Sequence, residues 1–244
     1  NRMITMSRLS ITQMLPYSLT EQIRATPGVK QAAYAAWFGG IYRIVDFTLS
    51  NCLNSDIRRI YVLTQYRSLS LDRHIRLGWS VFNHELGEFI ECVPPQQRNV
   101  DRWYRGTADS IYQNIYLLQR ERPQRVLILS GDHVYKMNYA RMLADHVQRR
   151  ADATVACIEM PVESASGLGV VVADDAGRVT AFVEKPVAPG ALPGLARPGH
   201  VLASMGIYAF NTDFLLELLA RDAADPASSH DFGRDVIPYL VGRR

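Results

Sequence analysis

The stretch "RVLILSGDHVYK", Arg125 to Lys136, decides the fold class. Its apolar core ends abruptly in Gly131, Asp132 and His133. A short apolar run without alternation, closed by a glycine turn, reads as a strand buried on both faces. Just downstream, "NYARMLADHVQRR" (138–150) reads as a helix and "ATVACIEMP" (153–161) as another strand. Upstream, "RIYVLTQY" (59–66) reads as a strand and "SLSLDRHIRLGW" (68–79) as a helix. "EFIECVPP" (88–95) reads as a short strand stopped by prolines, and "GTADSIYQNIYLLQRER" (106–122) as one helix. In that helix Thr107 is the expected N-cap, Asp109 suits the positive end of the dipole, and Pro123 is the stop. Strands alternating with helices predict an α/β fold with a mostly parallel central sheet and helices on both faces.

Beyond residue 161 the pattern changes. "GVVVAD" (169–174) and "RVTAFVEKP" (178–186) flank the turn signal "DDAG" and predict a hairpin. "LPGLARPGH" (192–200) reads as a loop, "VLASMGIYAF" (201–210) as a strand and "TDFLLELLARDA" (212–223) as a helix. "SSHDFGRDVIPYL" (228–240) predicts a further helix behind a serine cap.

Composition excludes several classes of function. A formal net charge of +3 in 244 residues is too small for a surface built to hold nucleic acid or an anionic membrane. Neither is expected as a partner. No apolar run reaches the ~20 residues of a membrane helix. The three cysteines, Cys52, Cys92 and Cys157, lack metal-type spacing and fit small hydrophobes in a reduced cytoplasm. Lysine occurs only as Lys30, Lys136 and Lys185 among 27 basic residues, so each point charge is of interest.

Three constellations carry chemistry. Asp132 follows a strand at the carboxyl rim of the expected sheet, where α/β proteins bind ligands. There it either holds a hard cation such as Mg²⁺, which takes one or two carboxylates and then phosphates, or caps the next turn. His133 is expected to orient that turn rather than ligate metal. In "FVEKP" (182–186), strand alternation puts Glu184 and Lys185 on opposite faces, one toward a hydroxyl and the other toward a phosphate. The alternative is a solvated hairpin end. "DRWYRGTADS" (101–110) brings Trp103 and Tyr104 to a helix start whose free N–H groups suit an anion. The alternative is a loop pinned to the core by Trp103.

Together these stretches resemble the glucose-1-phosphate adenylyltransferases, or ADP-glucose pyrophosphorylases, of bacterial glycogen synthesis. The resemblance is carried by "FGGIYRIVDFTLSNCLNSDIRRIYVLTQY", "HIRLGWSVFN", "PPQQR", "WYRGTADSIYQN", "LILSGDHVYKMNY", "SGLGVVVAD", "FVEKP", "LASMGIYAF" and "SSHDFGRDVIP", in family order from Phe38 onward. It implies formation of ADP-glucose and pyrophosphate from ATP and α-D-glucose 1-phosphate with Mg²⁺. It implies Asp132 as the metal-binding catalytic aspartate and Lys185 as the catalytic lysine on the sugar phosphate. Tyr104, Gly169, Glu184 and Ser204 become further glucose 1-phosphate contacts. Gln65, Gln96 and Gly106 fall where the family places nucleotide-pocket residues. Homotetramers are implied too, built largely through parts not present in this chain.

Two departures bear on activity. The family opens with a GGxGxRL loop around the triphosphate and a Lys-Pro before the Phe-Gly-Gly, whereas residues 18–37 read "SLTEQIRATPGVKQAAYAAW". Residues 1–37 are therefore expected to be an atypical head and 38–244 a partial catalytic domain, lacking a second metal-binding aspartate and the family's C-terminal β-helix domain. Reduced activity of this chain follows as an expectation. The competing reading is a non-catalytic, sugar-phosphate-binding regulatory protein on the same fold. A metal-dependent glycosyltransferase ranks last, because its usual Asp-x-Asp at a strand end is missing.

Overall fold

The computed structural model describes residues 44–65, 68–94, 103–165, 167–187 and 198–242. Helix α1 (Val45–Asn54) leads to β1 (Arg59–Leu63), α2 (Ser68–Gly78) and β2 (Phe89–Val93). The next elements are α3 (Thr107–Tyr112), α4 (Ile115–Glu121), β3 (Arg125–Ile128), α5 (Tyr139–Gln148) and β4 (Ala153–Pro161). The hairpin β5 (Gly169–Ala173) and β6 (Val179–Glu184) precedes the long strand β7 (His200–Asn211). Helix α6 (Thr212–Ala224), a π-helical turn (Phe232–Val236) and α7 (Ile237–Gly242) complete the order.

The α/β class stands, and its sheet directions are more mixed than the alternating pattern predicts. Among the described strands, β1 and β2 pair in parallel. β7 runs antiparallel to β3, β4 and β5. Strands β3 and β4 do run in the same sense, as a strand-helix-strand unit requires, but β7 lies between them. One edge of β7 carries β4 along most of its length. The other edge carries β5 at Leu202 and Ala203, then β3 from Tyr208 to Asn211. The change of partner coincides with a register shift in β4 between Val155 and Cys157, and with Gly206 at φ +64° in β7. A residue with a Cβ would be strained in that left-handed conformation.

The apolar run that opened the sequence reading serves two cores. Val126 and Ile128 pack with Tyr208, Phe210, Phe232, Leu215 and Leu219 on one side. Leu127 and Leu129 pack with Cys52, Tyr139, Met142, Ile207 and Ala209 on the other. Successive side chains of a strand point to opposite faces, so only a sheet covered on both sides makes every position apolar. Helix α6 and the π-turn cover one face, and α1 and α5 the other. Phe232, 1% exposed, joins Tyr208 and Phe210 at ring separations of 5.4 and 5.9 Å. Truncating such a residue to alanine costs about 3–5 kcal/mol.

Three local expectations are corrected. The helix expected over 106–122 breaks between Tyr112 and Ile115, where Asn114 Nδ2 donates to the Ser110 carbonyl and competes with the helical ladder. Thr107 does not cap. It is the first helical residue, and its Oγ1 donates to Asp231 and accepts from the Phe232 amide. The cap of the last helical segment is Asp231 rather than a serine, with Oδ1 accepting from the Gly233 and Arg234 amides.

Candidate active site

The partner change along β7 builds a cleft. Between Ala203, paired with β5, and Tyr208, paired with β3, β7 has no partner on that edge among the described residues. A cavity of about 1400 Å³ runs from there along β3 to β1, walled also by residues of α1, α3 and α4. The rim after β3 contributes Ser130, Gly131, Asp132 and His133; β5 and β6 contribute Gly169 and Glu184. β7 contributes Ser204, Gly206 and Tyr208, and the segment after α6 contributes Asp231, Phe232 and Gly233. The structure therefore brings Asp132, Gly169, Glu184 and Ser204 together around one space.

Asp132 is a solvated anion. Its side chain is 84% exposed. The Ser130 hydroxyl donates to its Oδ1, and His133 Nδ1 lies 3.3 Å from the same oxygen. The Ser130 hydrogen bond, helped by His133 and opposed by partial burial, holds the carboxyl below the usual aspartate range. The His133 ring stacks on Tyr135 at 4.4 Å, in keeping with a residue that orients the turn. Among the described residues no three His, Cys, Asp or Glu side chains form a metal cluster; Asp132 is the carboxylate of the rim after β3.

Glu184 is held differently. A Cβ on Gly169 would stand 2.8 Å from its Oε2, and one on Gly233 2.7 Å from the same atom. Gly233 thus makes room for this carboxylate, and Gly169 makes room for it and for the Phe182 ring, 2.6 Å from the same Cβ position. Burial raises its pKa above the ordinary glutamate value, the Lys185 ammonium opposes this, and Asp231 adds to it.

The expectation that Glu184 and Lys185 point apart is corrected. Strand β6 ends at Glu184, and Lys185 takes a left-handed φ of +45°. Alternation lapses at that residue, and Lys185 Nζ comes within 3.9 Å of Glu184 Oε1. The ammonium remains largely solvated and does not itself line the cavity among the described residues.

The segment before α3 also differs from its reading. The helix N-terminus is not open to an anion, because the Ala108 and Asp109 amides donate to the His230 carbonyl at 2.9 and 3.2 Å. Gly106 owes its identity to the same contact: a Cβ there would meet the His230 oxygen at 2.3 Å. Trp103 is 52% exposed. The Tyr104 hydroxyl accepts from Asn114 Nδ2 at 3.0 Å, and Asn114, not Tyr104, reaches the cavity wall. Gln65 lies just past β1, away from the cavity lining; Gln96 lies outside the described residues.

Sequence reasoning missed Tyr208, Asp231, Gly233 and Asn114. Ser204 and Tyr208 have the same parity in one strand, and that spacing was a usable signal. Burial raises the Tyr208 hydroxyl to about 12, opposed by its hydrogen bond with Ser204. Asp231 and Gly233 meet Glu184 only through the tertiary fold, and no local pattern announces them.

A cleft at the carboxyl rim of an α/β sheet, lined by an ionised aspartate and a recessed glutamate, suits transfer of a phosphorus-centred group to an anionic acceptor. Residues 30–244 match the nucleotidyl transferase family model, and the chain belongs to that family. It is 56% identical over 213 residues to a glucose-1-phosphate adenylyltransferase of Nitrosospira multiformis, covering 87% of this chain and 50% of that protein. It is 55% identical over 211 residues to glucose-1-phosphate adenylyltransferase 2 of Vibrio cholerae, covering 86% and 51%. It is also 56% identical over 212 residues to the Nitrosomonas europaea protein of the same name, covering 86% and 48%. The chain spans about half the length of the curated relatives it matches. Among the described residues no helix is long and apolar enough to cross a membrane.

Proposed function

We propose that the protein transfers an adenylyl group from ATP to α-D-glucose 1-phosphate, forming ADP-glucose for glycogen synthesis and releasing pyrophosphate. The observation that carries this reading is the shared cavity: Asp132 and Glu184, from the ends of different strands, line one space with Ser204. The names of the relatives support the substrates.

The residue types suit the reaction. The acceptor oxygen of a sugar phosphate is already anionic at neutral pH, so no strong general base is required. The demand is for alignment and charge neutralisation. Glu184, recessed between Gly169 and Gly233, accepts hydrogen bonds from sugar hydroxyls. The Lys185 ammonium, beside it and solvated, meets the sugar's phosphate. Ser204 supplies a hydroxyl on the same wall. Tyr104 acts from the other side of Asn114. The nucleotide contacts assigned to Gln65, Gln96 and Gly106 belong to this proposal as well.

A single solvated carboxylate fits Mg²⁺, which keeps several waters and completes its shell with substrate phosphates rather than a protein cage. Asp132 would hold it. When bound, the cation would neutralise charge developing on the transferred phosphate.

The test follows pyrophosphate release from ATP, glucose 1-phosphate and Mg²⁺. Asp132→Asn is expected to lower turnover by about a hundredfold or more, the scale on which one preorganised electrostatic partner acts. Turnover unchanged by that substitution would refute the assignment. Glucose 1-phosphate binding with no pyrophosphate release by the wild-type chain would favour the regulatory reading instead.

A further inference from the structure

We propose that helix α1 is the positioning element for Asp132, with Thr48, Asn51 and Ser55 holding the rim segment 130–139 through its backbone. The inference rests on the reading of Asp132 as the cation-binding carboxylate.

The three residues are spaced by three and four, which sets them on one side of the helix and its C-cap. All are polar and buried, at 6, 5 and 4% exposure. Each is committed to the backbone of the rim. Thr48 Oγ1 donates to the Ser130 carbonyl at 3.0 Å. Asn51 uses both ends of its amide: Nδ2 donates to the Tyr135 carbonyl at 3.1 Å, and Oδ1 accepts from the Met137 amide at 3.2 Å. Ser55 Oγ accepts from the Tyr139 amide at 2.8 Å. The four bonds bracket Asp132 on both sides.

The rim also packs through Tyr135 and Met137 against the core on the α1 and α5 side of the sheet. Residues 130–138 contain no helix or strand, and none of them is buried. Backbone groups outside regular structure find partners elsewhere, and here α1 and its C-cap bond four of them. From Thr48 the connection continues to the carboxylate, because the Ser130 hydroxyl donates to Asp132 Oδ1. The helix is itself anchored at its start: Asp46 accepts from His74 Nε2 and Trp79 Nε1, both at 2.8 Å. The chain of contacts therefore runs from α2 through α1 to the rim. Asn51 and Ser55 do not line the cavity, and Thr48 meets its wall from α1; on this reading all three act through the segment they hold.

The test uses the whole chain in five forms: wild type, Asp132→Asn, Asn51→Leu, Thr48→Val and Thr48→Ser. Hydrogen–deuterium exchange is read across residues 130–139, Mn²⁺ binding by the spin resonance of free Mn²⁺, and glucose 1-phosphate binding by calorimetry. In Asn51→Leu and Thr48→Val the rim amides should exchange at least about tenfold faster, with β7 unaffected. Mn²⁺ should bind about tenfold more weakly, the usual scale for loss of an outer partner of a metal ligand. Glucose 1-phosphate affinity should not change, and Thr48→Ser, which keeps the hydroxyl, should behave as wild type. If Asn51→Leu does not fold, Thr48→Val decides. Unchanged rim exchange, faster exchange spread evenly over the sheet, or a parallel fall in glucose 1-phosphate affinity would overturn the inference. If wild type and Asp132→Asn bind Mn²⁺ alike, the cation role of Asp132 is lost, and the exchange comparison still decides whether α1 holds the rim.

Discussion

Replacing Gly233 with alanine should disable sugar-phosphate binding while leaving the fold intact. The new Cβ would stand 2.7 Å from Glu184 Oε2, 3.3 Å from its Cδ and 3.5 Å from Asp231 Oδ1. Ordinary contact begins near 3.4 Å, so the carboxylate must retreat by roughly 0.7 Å. The atoms that must yield are the far end of a flexible side chain, and moving it off its preferred rotamer costs about 0.5–1.5 kcal/mol. Alanine offsets this, because glycine in a helical segment is about 0.5–1 kcal/mol less favourable. Net stability should therefore change by less than about 1 kcal/mol. Binding should suffer more. A hydrogen bond to a charged group contributes about 1.5–3 kcal/mol, which corresponds to roughly ten- to a hundredfold in affinity. Calorimetric titration with glucose 1-phosphate, beside a thermal melt and a Glu184→Gln control, reads both quantities. An unchanged Kd in Gly233→Ala would show that Glu184 does not touch the sugar. A collapsed melting temperature would show that the pocket is rigid where this reasoning takes it to be compliant.

Gly106→Ala should do the opposite and destabilise the fold, since its Cβ would meet the His230 and Ser229 carbonyl oxygens at 2.3 and 2.7 Å, and backbone cannot step aside. Urea denaturation should show a loss of about 1–3 kcal/mol or more, and a stable variant would contradict the packing of α3 on residues 229–230. The raised pKa of Glu184 gives a third expectation. Burial is the main cause, so the carboxylate takes up its proton at a higher pH than an exposed glutamate. Sugar binding that needs the anion should then fail earlier on acidification. For stability the sign reverses: the folded state holds this proton more tightly, so the Glu184 contribution favours folding at low pH and is lost as pH rises through the folded pKa. Lys185→Met removes the opposing ammonium and should move the titration further up, read by NMR at the Glu184 carboxyl carbon. A downward move would contradict the 3.9 Å pairing of the two groups.

Much of the architecture was legible because it is written in periodicity. The apolar run at 126–129 predicted a strand covered on both faces, and its residues do divide between two cores. The hairpin was legible because "DDAG" supplies turn chemistry: Asp174 Oδ1 accepts from the Ala176 and Arg178 amides, and Gly177 takes a φ of +75°. Where local rules failed, a distant partner had overridden them. Thr107 had the chemistry of a cap, but its hydroxyl is engaged by Asp231 and Phe232, more than a hundred residues away. Glu184 and Lys185 were separated by a rule that holds only while the strand lasts, and the strand stops between them.

The sequence by itself determined the elements, the two-sided burial of β3 and the placing of Asp132 at a strand end, because each depends on neighbours within a few residues. Only the tertiary structure decided that β7 runs between β3 and β4 and leaves a gap where its partners change. It alone set Glu184 between Gly169 and Gly233, and tied Asp132 to α1 through Thr48 and Asn51. Apart from the hairpin pair Gly169 and Glu184, these contacts join residues tens of positions apart. Only the folded backbone sets such distances, and no short pattern of side chains encodes them.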